Sequence, residues 1–142
     1  MRRRWASRIL PAALLLGIAL LPACDDTPSP EASLRAFIAA AAAGDHDRAW
    51  EGLTPETRQA ADVMVAAVRE ALLAAGETPP RDGKALIFGQ GLEMIREVES
   101  IEELSREGGV ARLRVKDPGG ETVELEMRLQ EGRWRLHLPL ED

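Results

Sequence analysis

Three segments near the carboxyl terminus alternate strictly between apolar and mostly charged residues, and this pattern constrains the fold more than any other feature. The apolar positions are Ala111, Leu113 and Val115, then Val123, Leu125, Met127 and Leu129, then Trp134, Leu136 and Leu138. A period of two predicts strands that bury one face. Turn-forming stretches at 117–120 and 131–132 separate the segments. The three strands are therefore expected to be sequential and antiparallel.

A fourth strand is predicted over 97–104, before the turn at 107–109. The apolar residues Ile95, Val98 and Ile101 are spaced three apart rather than two. A helix or a bulged strand is therefore also compatible with this stretch.

The chain before this region has helical spacing and helix-boundary residues. A first helix is predicted over 30–43, with Ser29 as its cap and Gly44 at its end. Asp45 is expected to cap a short second helix, and the third is expected over 55–75, before Gly76. Residues 77–83 are predicted to form a loop. Apolar positions mark the inward faces, namely Leu34, Phe37, Ile38, Ala41, Ala49, Trp50, Leu53, Ala61, Met64, Val65, Val68 and Leu72.

Three helices followed by an antiparallel meander predict an α+β domain. The expected arrangement has the three amino-terminal helices packed on one side of a curved sheet of about four strands. The segment 30–142 is long enough for one such domain and too short for two.

The amino terminus has the organisation of an export signal. Four arginines within residues 2–8 precede the apolar run 9–21, and Leu21-Pro22-Ala23-Cys24 follows. This stretch resembles a bacterial lipobox, which implies cleavage between Ala23 and Cys24 and lipid attachment at Cys24. An uncleaved anchor is the alternative. Thirteen apolar residues span roughly 20 Å of helix, short of a hydrocarbon core about 30 Å thick.

The lipobox resemblance divides the chain into three parts: a signal peptide at 1–23, a lipidated cysteine with a short tether at 24–29, and the domain at 30–142. It implies a bacterial envelope location facing the periplasm, with the membrane bound through the lipid on Cys24. Asp25 resembles an inner-membrane retention signal, and the choice between inner and outer membrane is left open. Since Cys24 is the chain's one cysteine, no intramolecular disulfide can form.

Loss of the four signal arginines would leave 14 basic and 24 acidic residues, a net charge of −10. A domain with this charge repels polyanions, which argues against nucleic acid as a partner. Anionic headgroups are repelled for the same reason. Membrane attachment is therefore assigned to the lipid rather than to a basic face.

The segment 43–55, AGDHDRAWEGLTP, and the closing strand 132–136, GRWRL, resemble the corresponding parts of small NTF2-like domains. Exported lipoproteins with such domains are grouped as DUF4878-like and have no assigned function. The resemblance covers roughly 30–138. It implies a cone whose concave sheet face can hold a ligand or, in isomerase-like and cyclase-like relatives, catalytic Asp, His or Tyr.

This chain contains no tyrosine, and its predicted inward strand positions are apolar. We interpret Trp50, Phe37, Met127 and Trp134 as core residues, with walls of an apolar pocket as the alternative. His137 is predicted to be solvated on the outer sheet face. His46, between two aspartates, is interpreted as part of a charged first helical turn, and no metal or cofactor is expected.

Two hypotheses for the function follow. The first is a non-catalytic envelope lipoprotein that binds a protein partner or a small apolar ligand. The second is a small isomerase-like or dehydratase-like enzyme, which would need a buried carboxylate from Glu93, Glu97 or Glu99. The charged sheet face is interpreted as a salt-bridged outer surface or as a docking surface for an acidic partner. Its residues are Arg112, Arg114, Lys116, Glu124, Glu126, Arg128, Arg133 and Arg135.

Overall fold

The computed structural model describes residues 26–91 and 97–140. Four helices come first: α1 (Pro30–Ala42), α2 (His46–Glu51), α3 (Pro55–Ala74) and α4 (Gly83–Leu86), the last continuing into a π-helical segment, Ile87–Gly91. Four strands follow: β1 (Ser100–Glu107), β2 (Val110–Lys116), β3 (Thr122–Gln130) and β4 (Arg133–His137). They form one antiparallel sheet in the order β1-β2-β3-β4. The α+β class and the four-stranded meander are confirmed.

Each of the first three helices begins at a capping side chain. The Ser29 hydroxyl accepts a hydrogen bond from the Ala32 N–H, the Asp45 carboxylate from that of Arg48, and the Thr54 hydroxyl from that of Thr57. These bonds satisfy N–H groups that have no partner within the helix. Gly44 and Gly76 follow α1 and α3 with φ of 76°, a left-handed conformation that costs glycine little.

The strand connections are tight and match the predicted turns. Gly108 and Gly109 both have positive φ between β1 and β2, as do Glu131 and Gly132 between β3 and β4. Two consecutive residues with positive φ are typical of a type I′ hairpin turn, whose twist matches that of the strands. β1 carries a register shift between Glu103 and Ser105, so the bulged-strand alternative describes this stretch. The strand itself begins at Ser100 rather than at residue 97.

The core lies between α1 and the inward face of the sheet. Its fully buried members include Leu34 of α1, Leu113 of β2, Met127 of β3 and Leu136 of β4. Cross-strand pairing places these apolar residues side by side, with Met127 opposite both Ala111 and Leu136. Val123 and Leu129, also predicted to face inward, are 36% and 42% exposed because they lie where the helices do not cover the sheet.

The helices are arranged differently from the predicted layer of three. α1 makes the main helical contact with the sheet, whereas α2 packs on α1 and α3 packs on α4. Residues 84–91, for which no element was predicted, form a helical segment. That helical segment gives α3 a partner, and its residue Ile87 enters the core at 6% exposure. No helix in the described part of the chain combines the length and hydropathy needed to span a bilayer.

Candidate functional site

Three of the residues interpreted as core or pocket lie against the inward sheet face. Phe37 is 4% exposed, Met127 is 1% exposed and Trp134 is 8% exposed, and all three belong to the main hydrophobic cluster. Trp134 also carries the Arg106 guanidinium over its ring, 5.6 Å from the centroid. Aliphatic side chains surround this group, so the inward face is packed rather than open.

Trp50 occupies a different place. It is partly buried against the core and forms one end of an open groove along α3, together with Pro55, Arg58 and Val63. Val63 is 53% exposed, and the groove is shallow. The structure therefore separates Trp50 from the other three residues.

A buried hydrogen-bonded cluster joins the start of α3 to the end of β4. The Thr54 and Thr57 hydroxyls lie 2.9 Å apart, and His137 Nδ1 lies 3.1 Å from the Thr54 hydroxyl. The Thr57 hydroxyl accepts from the Leu138 N–H at 2.9 Å and donates to the Leu138 carbonyl at 3.2 Å. The two threonines are the buried polar residues among those described.

This cluster is structural rather than nucleophilic. Thr54 is fully buried, and its hydroxyl donates to Thr57. His137 Nδ1 contacts the same hydroxyl, and which of the two groups donates depends on the histidine tautomer. Because Thr54 is 0% exposed, its hydroxyl is not open to a substrate and is not placed to act as a nucleophile.

His137 differs from its prediction as a solvated strand residue. It is half-buried, because the segment carrying Thr54 lies beside β4. Burial is the main cause that lowers the pKa of His137 from 6.5, and the positive charge of Arg128 adds to it. Glu126 and Glu56 oppose these effects.

We expect the free energy of unfolding to decrease as pH falls below about 6.5, because the unfolded state then binds a proton that the folded state binds less well. Folded-state protonation of His137 ends this decrease at a lower pH. Denaturant titrations between pH 7.5 and 5 measure the slope. His137→Gln should flatten it, and an equal slope in wild type and variant would contradict the assignment.

The carboxylates considered for an enzyme do not form a buried site. Glu97 is exposed, and Glu99 is exposed and pairs with Lys116 at 2.9 Å. Glu93 lies outside the described residues. The prediction of a buried carboxylate is therefore wrong for Glu97 and Glu99, because both precede β1 on an exposed edge of the sheet.

The second histidine lies in a charged first turn, away from the sheet. His46 stacks on Phe88, with ring centroids 5.1 Å apart and an interplanar angle of 10°. The neighbouring Asp47 accepts a hydrogen bond from Lys84, and this bond is the main cause that lowers the pKa of Asp47. Within 26–91 and 97–140, no group of three or more His, Cys, Asp or Glu side chains is placed to hold a metal ion.

The outer sheet face carries cross-strand salt bridges, which agrees with its interpretation as a salt-bridged surface. Arg114 contacts Glu124 at 3.2 Å and Glu102 at 3.7 Å, and Arg128 contacts Glu126 at 2.7 Å. Cross-strand register places Arg114 opposite both glutamates, which explains these pairs. Most of the charge on this face is therefore neutralised locally.

Two arginines assigned to that face, Arg133 and Arg135, instead line a cleft beside β4. We call it the arginine cleft, formed by Phe37 of α1, Arg48 and Glu51 of α2, and Arg133, Trp134 and Arg135 of β4. Its volume is about 320 Å³.

Local structure explains how the cleft forms. Gly52 and Thr54 exchange hydrogen bonds with Leu136, with the Leu136 N–H donating to the Gly52 carbonyl at 2.8 Å and the Thr54 N–H to the Leu136 carbonyl at 2.9 Å. This short parallel pairing brings the end of α2 beside β4. At Gly52 a Cβ would lie 3.1 Å from the Phe37 ring, so glycine allows α1 to approach closely.

Arg135 is the most buried charged group of the cleft. Its side chain is 14% exposed, and its guanidinium contacts Glu131 at 3.4 Å through Nη2. Nε is buried and has no acceptor in the described part of the chain. Glu131 is 85% exposed, so solvent weakens this ion pair. Comparison with protein-family models, curated proteins and solved structures finds no match for this chain.

Proposed function

We propose that this protein is a bacterial envelope lipoprotein, anchored through Cys24, whose NTF2-like domain is a non-catalytic binding module. The lipobox resemblance at 21–24 supports the anchor, and the resemblance of 43–55 and 132–136 supports the domain type. On this proposal the domain faces the periplasm on a tether of about five residues. Its partner is an envelope protein or a small molecule.

The packed inward sheet face is the observation that carries the binding role. Leu34, Leu113 and Met127 fill the space in which an enzyme of this domain type would hold its acid or base. The arginine cleft borders the core through Phe37 and Trp134 and opens to solvent. A binding role at the surface is therefore better supported than catalysis at the inward sheet face.

Lipidation is tested with the full chain expressed in a bacterial host and labelled with an alkyne fatty acid. We expect the wild type to incorporate label and to sediment with membranes. Cys24→Ser should incorporate none, because it removes the one thiol of the chain. Inhibition of lipoprotein signal peptidase should leave a longer, uncleaved form.

Asp26→Asn provides the matched control, since it alters the predicted tether without touching the thiol. It should label and sediment like the wild type. A wild-type protein that incorporates no label, keeps its amino terminus intact and still sediments with membranes would instead support the uncleaved anchor.

A further inference from the structure

We infer that the arginine cleft binds a phosphate group, carried either by a phospholipid headgroup or by a small soluble phosphorylated molecule. The inference names a ligand class for the proposed binding module and rests on that proposal. Four observations carry it: the charge of the cleft, the state of Arg135, the shape and walls of the cavity, and its position in the chain.

The cleft is basic within an acidic protein. Arg48, Arg133 and Arg135 line it, opposed by the carboxylate of Glu51. The whole chain has a net charge of −6, so three arginines around one cavity are a local reversal of sign. The positive charge of the cleft attracts small anions, whereas the net negative charge of the rest of the protein repels them.

Arg135 supplies a donor that the described protein atoms leave unused. A buried guanidinium is stable only when acceptors compensate for the water it has lost. Glu131 provides one long contact to Nη2, and the buried Nε has no acceptor among the described residues. An oxyanion in the cleft would give this guanidinium a further acceptor.

The number of guanidinium groups favours phosphate over carboxylate. Arginine forms bidentate hydrogen bonds with both kinds of anion. A carboxylate has two oxygens, whereas a phosphate presents enough oxygens to serve Arg48, Arg133 and Arg135 together. A volume of about 320 Å³ lies at the lower end of small-molecule sites, which suits a headgroup or a small phosphorylated compound.

The walls and position of the cleft accommodate the rest of such a ligand. Phe37 and Trp134 give it an apolar side, against which carbon atoms next to a phosphate can pack. Pro28 also borders the cleft and is four residues from Cys24. Four extended residues span at most about 14 Å, so a lipid on Cys24 would keep the cleft near the phosphate layer of the bilayer.

The test uses the full chain purified in dodecyl maltoside without phosphate. Inorganic phosphate is titrated first, with arginine Nε–Hε resonances followed by nuclear magnetic resonance. Phosphatidylglycerol is then added to the micelles. Diacylglycerol, a lipid that carries no phosphate, is added as the control to a separate sample at the same mole fraction. We expect saturable shifts with phosphate and with phosphatidylglycerol, and none with diacylglycerol.

Variants assign the binding to the cleft. Arg135→Gln should weaken phosphate binding about tenfold, the usual effect of losing one charge-assisted hydrogen bond. Arg48→Gln, on the exposed rim, should weaken it in the same direction and provides the test if Arg135→Gln does not fold. Arg112→Gln changes a strand arginine outside the cleft and should bind like the wild type.

The two ligand sources give different affinities. Binding of phosphatidylglycerol at least about tenfold tighter than inorganic phosphate supports a lipid headgroup, because the glycerol and acyl carbons add contacts. Similar affinities support a soluble phosphorylated molecule. No saturable shift with either probe overturns the inference, as does equal binding by Arg48→Gln and wild type. Mass spectrometry of Cys24 in the same preparation tests the lipoprotein proposal separately.

Discussion

Replacing Trp134 by alanine is expected to lower the free energy of unfolding by about 3–5 kcal/mol, the usual range for truncating a buried aromatic side chain. Trp134 is 8% exposed, lies opposite Leu129 in the β3–β4 pair and belongs to the main core cluster. Its removal leaves a cavity where α1 packs on β4. It also removes the ring beneath Arg106. Guanidinium denaturation followed by far-UV circular dichroism measures the loss independently of tryptophan fluorescence.

Arg133→Ala is the control for that measurement, because Arg133 precedes Trp134 on the same strand and is exposed. Its stability should stay within about 0.5 kcal/mol of the wild type. A loss below about 1 kcal/mol in Trp134→Ala would show that the ring is not part of the core.

Gly83→Ala is expected to destabilise the domain by about 3 kcal/mol, although it adds one methyl group. A Cβ at Gly83 would lie 2.7 Å from the Asp62 N and Oδ1 atoms and 2.8 Å from the Ala61 carbonyl carbon. Two of these three atoms belong to the α3 backbone, which cannot move aside. α4 must therefore shift, with a cost from overpacking and from the lost hydrogen bond between the Gly83 N–H and Asp62, now 2.7 Å long.

Gly89→Ala is the matched control. Gly89 lies on the same helical segment, and a Cβ there meets no atom within 4 Å. Chemical denaturation should give this variant the stability of the wild type or slightly more, because alanine has less conformational freedom in the unfolded chain. If both alanine variants have the same stability, the close approach of α4 and α3 is not maintained in solution.

The sheet was predictable because its signals are local. Alternation fixes which side of a strand is buried, and Ala111, Leu113 and Val115 are all buried as predicted. The amino termini of the helices were equally predictable, since Ser29, Asp45 and Thr54 lie directly before the helices they cap. In each case the residues concerned are neighbours in sequence.

Features that depend on distant contacts were missed. Asp82-Gly83 was interpreted as part of a loop, but Asp82 caps α4 and Gly83 lies against α3. The arginine cleft is a second case, because Arg48 and Arg135 line one cavity only through the pairing of 52–54 with Leu136. Alternation assigned Arg135 to the outer face and carried no information about what lies beside an edge strand.

The connection between the helical half and the sheet half of the domain constrains the order in which they can fold. The β1-β2-β3-β4 meander consists of neighbouring hairpins, which close short loops and can form early. The helices, by contrast, are joined to the sheet by hydrogen bonds from the Leu136 and Leu138 N–H groups. These groups donate to Gly52 and Thr57, which lie more than 80 residues earlier in the sequence. A chain that emerges amino terminus first cannot close this connection until β4 is free. Its helical half therefore stays incompletely packed, and open to chaperones and proteases, until Leu138 has emerged.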